Sequence, residues 1–138
     1  FCMATGGMDA GDFCFELSEI WDHINTHLSL LRNELSNEKL VLRFFLKDAN
    51  QKFHEKLNQT LKNLEPGVNV EIEQSGDAGD YYKLARFKFF LVHKGKEINL
   101  SDGGLVDWTQ KLIPNKKHRL IISGVGTELI HKITYKQL

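Results

Sequence analysis

The sequence predicts an α+β domain, an antiparallel sheet with helices packed on one face. Three observations carry this. Two segments in the first half repeat apolar residues at helical spacing. Strand-like runs follow them and dominate the second half. A Lys-Gly-Lys step separates two of those runs and reads as a hairpin turn. The length, 138 residues, suits one domain over residues 1–138 with a single core. The chain starts at Phe1, not Met, so a piece of a longer protein is an equal expectation.

The elements follow in order. "ATGGMDAGD" reads as a loop, with Gly6, Gly7 and Gly11 as breakers. Asp12 is the expected N-cap of a helix. On that helix Phe13, Leu17, Ile20, Trp21, Ile24, Leu28, Leu31 and Leu35 recur every three or four residues. "KLVLRFFL" at 39–46 is a short strand-forming run. Asp48 is the expected cap of a second helix, whose apolar face is Ala49, Phe53, Leu57, Leu61 and Leu64; Pro66-Gly67 ends it. "VNVEIEQ" at 68–74 alternates like a strand with one wet face. "SGDAGD" is a loop. Residues 85–100 form a hairpin turning at Lys94-Gly95-Lys96, and "GLVDWTQKLI" is a short helix ending near Pro114. "HRLIISGVG" is a buried strand running into a glycine turn. "TELIHKI" has helical spacing, although "HKITYKQL" also suits an extended segment.

Composition narrows the function. Hydrophobic residues are 41% and charged residues 26%, ordinary for a globular protein. The formal net charge is zero, so there is no chain-wide basic field for nucleic acid. A local basic run, Lys116, Lys117, His118 and Arg119, is either a solvated turn or an RNA contact. Cys2 and Cys14 form no CxxC pair, which speaks against a zinc knuckle and for a reduced, cytoplasmic protein. No apolar run approaches the ~18 residues that span a membrane, and residues 1–8 lack a signal-peptide pattern. No membrane partner is expected.

Candidate chemistry is sparse. His23 and His27 stand four apart on the first helix, but no third ligand accompanies them, so they read as structural. Cys14 lies near a helix start and reads as a buried structural thiol. "ISGVGTE" holds Gly124 and Gly126, which suit an anion-binding turn or close strand–helix packing. Tyr81 and Tyr82 point to opposite faces if their segment is extended, with Asp80 beside them. No acid–base pair, nucleophile triad or metal set stands out. An enzyme is not expected, and neither is a cofactor.

Three motifs in order carry a resemblance. "GDYYKLARFKFF" resembles the "RGLDYYTGxxFE" stretch of class II aminoacyl-tRNA synthetases of the histidyl type. Asp80, Tyr81, Tyr82 and Phe87 fall in register. "GGLVDW" is similar to that family's "GGRYDxL", with Gly103, Gly104 and Asp107 matching. "IISGVGTELI" sits where "GFSIGLERL" belongs, with Gly126 and Glu128 matching. The best-matched part is residues 77–131. The departures matter equally. The arginine of the first motif falls at Asp77, and the ATP-holding arginine of the third falls at Leu129. Without those cations nothing there neutralises ATP phosphates. The resemblance therefore implies the fold and a degenerate, non-catalytic relative. The regulatory subunit of ATP phosphoribosyltransferase and the synthetase-like region of the eIF2α kinase that senses uncharged tRNA are of that kind.

The expected role is binding or regulation through a protein or RNA partner, with tRNA and an amino acid as candidate ligands. The alternative is a protein-interaction or dimerisation module using the apolar face of the first helix. By the resemblance, a pocket would be lined by Asp80, Tyr81 and Tyr82. Gly103, Gly104 and Asp107 would shape its floor, and Gly124 and Gly126 would let backbone approach the ligand. Lys116, Lys117 and Arg119 are the candidate RNA contacts.

Overall fold

The apolar stripe of the first helix decides which face of the sheet is covered. The computed structural model describes residues 1–47, 50–74 and 81–136. It contains β1 (Cys2–Met8), α1 (Cys14–Glu34), β2 (Lys39–Leu46), α2 (Gln51–Leu61), β3 (Val68–Glu73), β4 (Lys83–His93), β5 (Lys96–Val106), α3 (Trp108–Leu112), β6 (His118–Val125) and α4 (Thr127–Thr134). The strands form one sheet in the order β1-β6-β5-β4-β2-β3. Every neighbouring pair is antiparallel except β2 and β3. This is the expected α+β class, with one parallel edge.

Strand alternation sorts the side chains. Leu42 and Phe44 on β2, and Phe87, Phe89 and Leu91 on β4, point to the helical side and are buried. Ile20, Ile24, Leu28 and Leu31 of α1 join them in the same core, with Phe53 and Leu57 of α2. The stripe that would suit a partner helix is thus used inside the domain.

Several local expectations change. Residues 4–8 belong to an edge strand paired with β6, not a loop. Gly7 breaks nothing there; a Cβ would lie 2.3 Å from the Phe15 ring, so glycine is what lets α1 pack against β1. Asp12 does not cap α1. The N-cap is Phe13, in a left-handed conformation, and Asp12 instead pairs with Lys52 and Lys56 of α2. The cap of α2 is Asn50, whose side chain accepts from the Phe53 N–H at 3.0 Å; Asp48 and Ala49 lie outside the described residues. Residues 104–106 continue β5, so the helix after them is only Trp108–Leu112. Cys14 is exposed, not buried. Tyr81 and Tyr82 sit in a turn ahead of β4, not in an extended segment. The hairpin turn is as expected. Lys94 and Gly95 both have positive φ, 50° and 75°, the pattern that matches strand twist in two-residue hairpins. The last helix is α4, which settles the ambiguity at 131–134. Among the described residues, no helix is long and apolar enough to cross a membrane.

His23 and His27 form the polar seam of this core. Both are fully buried. Ser123 Oγ lies 2.7 Å from His23 Nδ1 and 2.9 Å from His27 Nε2, and His23 Nε2 lies 2.9 Å from Thr5 Oγ1. One proton arrangement uses every ring N–H. His27 Nε2–H donates to Ser123, Ser123 donates to His23 Nδ1, and His23 Nε2–H donates to Thr5. His27 Nδ1 is then left as a bare acceptor, which costs less than an unpaired buried N–H. The chain ties α1 to both β6 and the edge strand β1. Burial, then the charges of His23 and the N-terminus, pull the His27 pKa down to about 4.

A neutral His27 in the fold and a freely titrating one in the unfolded chain make stability acid-sensitive. Between about 6.5 and about 4 the unfolded state binds the extra proton, so stability falls with pH across that window, by about 3 kcal/mol for this group. Urea midpoints measured across that range should drop on acidification, and His27→Gln should flatten the drop. An equal acid slope in the variant would contradict the assignment.

Candidate functional site

The sheet face opposite α1 and α2 carries the densest polar chemistry. Its residues are those the alternation leaves over: Arg43 and Phe45 on β2, Arg86, Lys88 and Phe90 on β4, Asp102 and Gly104 on β5, Gly124 and Ile122 on β6, Cys2 and Ala4 on β1. A cleft of about 450 Å³ opens here, lined by Cys2, Ala4, Tyr82, Asp102, Ile122 and Gly124 among others.

Tyr82 forms one wall of it. The ring is buried and crosses Gly104, where a Cβ would sit 2.6 Å from the ring and 2.5 Å from the Ala85 carbonyl. Arg86 then lies over the ring, 5.2 Å from its centroid, within cation–π range. Arg86 also grips Asp102 with both arms, Nε at 2.8 Å and Nη2 at 2.6 Å from its two oxygens. Burial, then the Asp102 charge, pushes the Tyr82 hydroxyl up to about 12. Tyr82 is therefore a neutral phenol over the whole physiological range. Farther along the face Arg43 holds Glu71 at 2.6 Å and Glu97 at 2.9 Å, with Glu73 at 3.4 Å. On this face Arg43 and Arg86 are met by carboxylates of neighbouring strands, while the Lys88 ammonium lies over the Phe45 ring, 5.9 Å from its centroid.

The expected site residues divide into groups. Tyr82, Gly104 and Gly124 meet around this cleft. Gly103 faces the other side of the sheet, where its missing Cβ makes room for the Phe87 ring and Ser123. Tyr81 is 52% exposed and edges onto both Tyr82 and Trp108, at 5.0 and 5.4 Å between centroids. Asp107 sits beside Trp108, 3.1 Å from Lys111 and 4.0 Å from Lys83. The Lys111 hydrogen bond holds the Asp107 carboxyl below its usual range. Gly126 is the N-cap of α4, and its N–H donates to the Leu100 carbonyl at 2.9 Å. A Cβ at Gly124 or Gly126 would meet neighbours only at ordinary contact distance. Lys116 and Lys117 are exposed on the turn before β6. Arg119 is spoken for by Asp9 at 2.7 Å and Glu16 at 3.0 Å. Asp80 and Asp77 lie outside the described residues. Among the described residues no group of three metal-ligating side chains gathers.

Asp102 lines the cleft and Arg86 pairs with it, and neither was expected there. For Asp102 the reason is a β-bulge. From the turn at Lys94-Gly95 the strands pair regularly as far as Phe90 and Asn99, after which Phe89 pairs with Ser101. That one-residue shift moves Asp102 from the core face to the open face.

No protein-family model matches the chain, and no curated protein matches it. Solved structures do. The chain is similar to the apo histidyl-tRNA synthetase of S. aureus, with a TM-score of 0.71 at 12% identity, over 98% of this chain and 39% of that one. It is also similar to a structure described as the RNA-binding domain of threonyl-tRNA synthetase from Cryptosporidium parvum Iowa II. There the TM-score is 0.54 at 10% identity, over 78% of this chain and 29% of that one. The chain thus has a class II synthetase-like fold and spans well under half the length of either relative.

The two glycines of the cleft should respond differently to a methyl group. Gly104→Ala drives Cβ into rigid backbone and should cost about 1–3 kcal/mol, whereas Gly124→Ala should stay within about 0.5 kcal/mol. Urea denaturation of the two variants checks this; equal midpoints would mean Tyr82 does not pack across Gly104.

Proposed function

We propose that this domain is a non-catalytic binding module on a synthetase-like fold and that its partner is RNA, tRNA foremost. The observation that carries the non-catalytic half is the charge pairing of the open face. Phosphoryl chemistry needs cations aimed at developing negative charge. Arg43 and Arg86 instead hold Glu71, Glu97 and Asp102. Leu129, at the place where the resemblance has an ATP-holding arginine, packs against the core.

The rim at α3 supports the RNA half. Tyr81 and Trp108 are exposed, 52% and 39%, and touch each other edge to face. Lys116 and Lys117 lie exposed on the turn after α3, while Lys111 of α3 is held by Asp107 at 3.1 Å. Lys116 reaches the Gln110 carbonyl at 2.6 Å, which draws the turn onto α3. Flat exposed rings beside lysines suit stacked bases and their phosphates. Such a role fits a reduced, cytoplasmic setting with two free cysteines.

Two assays test this. Amino-acid-dependent ATP–pyrophosphate exchange should stay at background; any exchange above it overturns the non-catalytic reading. Anisotropy of labelled uncharged tRNA should show affinity falling with salt. Trp108→Ala should weaken binding by roughly 1–3 kcal/mol, the range for one stacked base. Binding indifferent to salt and to Trp108 would refute the RNA half.

Self-association is the second reading, favoured by one patch. Phe1, Leu30 and Tyr135 are exposed around a groove of about 470 Å³ between α1 and α4. Light scattering across a concentration series should show a dimer if that patch is an interface, and a monomer throughout rejects it.

A further inference from the structure

The rim at α3 carries an apolar ledge that phosphates alone do not explain. Trp108 and Leu112 stand four apart on α3 and share one face of it. Trp108 is 39% exposed and Leu112 83%, and Ile113 just past the helix is exposed as well. Tyr81 meets this ledge from the turn before β4, with 5.4 Å between its centroid and that of Trp108. Tyr82, whose ring is buried, lies 5.0 Å from Tyr81 and anchors it. Base faces suit such a surface. In a duplex those faces lie against one another, and only backbone and groove edges are presented. Unpaired bases have their faces free.

The angle between the rings narrows the ligand further. Tyr81 and Trp108 are inclined at 80°. Bases in a continuous stack are parallel, so one stack cannot lie flat on both rings. Two neighbouring bases fit both rings only when they turn away from each other, as unpaired nucleotides do.

The charges agree in sign and in number. The described charges around α3 are Lys83, Lys111, Lys116 and Lys117 against Asp107. The neighbouring Asp9–Glu16–Arg119 group adds one negative charge, which leaves two positive charges in excess. Lys116 gives one of its three ammonium hydrogens to the Gln110 carbonyl at 2.6 Å and keeps two for a phosphate. Two charges match the phosphates of a short segment. They fall well short of the ~6–10 phosphate contacts of a strongly salt-dependent duplex binder.

We propose that this rim takes two consecutive unpaired nucleotides, one base on Trp108 and the next on Tyr81, and that it does not take duplex RNA. The inference rests on the RNA reading above and narrows it to a class of RNA.

The test is fluorescence anisotropy of the full chain with labelled octauridylate. The competitors are uncharged tRNA and a blunt RNA duplex of about 16 base pairs, the span of a duplex-binding domain. Octauridylate should bind saturably; tRNA, with its unpaired end and loops, should displace it, and the duplex should not. Tyr81→Ala and Trp108→Ala should each weaken octauridylate binding at least about fivefold, the low end for one stacked base. Lys116→Gln combined with Lys117→Gln should lower the slope of log affinity against log salt by about 1.4, two phosphates at ~0.7 each. All four positions are exposed, and a melting curve of each variant checks its fold before titration. An effect of Trp108→Ala without one of Tyr81→Ala would mean a single-base site and overturn the proposal. If tRNA binds directly but octauridylate does not, or if the duplex competes as well as tRNA, the RNA reading stands and this inference falls. If none of the three binds, both fall.

Discussion

Two adjacent glycines on β5 set the terms for both faces of the sheet. Gly103 and Gly104 alternate across the strand, and each is bare because an aromatic ring occupies the place of its side chain. Phe87 fills the space at Gly103 on the helical side. That ring meets His27 of α1 at 5.8 Å and Phe44 at 6.0 Å between centroids, so the docking of α1 depends on it. Tyr82 fills the space at Gly104 on the open side, and Arg86 and Asp102 assemble over it. A side chain at either position would displace a ring and, with it, the wall of a core or of a cleft.

The two faces solve the burial of polar groups differently. On the helical side the His27–Ser123–His23–Thr5 chain is neutral, and the buried Glu16 carboxylate is met by Arg119. Neutral groups fit a dry interior because no charge has to be desolvated. On the open side the groups are charged and matched strand to strand, Arg43 to Glu71 and Glu97, Arg86 to Asp102. Pairs of this half-exposed kind contribute little stability each, but they fix side-chain direction and occupy both guanidinium groups of the face.

Much of the fold was legible because long helices and alternating strands write their period into the chain. The stripe from Leu17 to Leu31, the run at 39–46 and the Lys94-Gly95 turn all stood out for that reason. The first strand did not, since Ala4, Thr5, Gly6 and Gly7 have turn-like composition and become a strand only through pairing with β6. Helix caps at Asp12 and Asp48 were plausible by residue type, but Asp12 found lysines on α2 and Asn50 took the second cap. The site was legible in part. The motifs led to Tyr82, Gly104 and Gly124, which meet at one cleft. Asp102, and with it the Arg86 pair, was hidden behind a bulge that no composition signals. Glu16 was hidden because its partner Arg119 is 103 residues away in the chain.

The central claim is that the open face is closed to nucleoside triphosphates by its own ion pairs. Amide shift mapping of the labelled chain with magnesium-ATP tests it most directly. The account predicts no saturable shifts at Arg86, Gly104 or Gly124. Saturable shifts at those three amides would show that the pairs yield to a triphosphate, and the non-catalytic reading would then lose its physical basis.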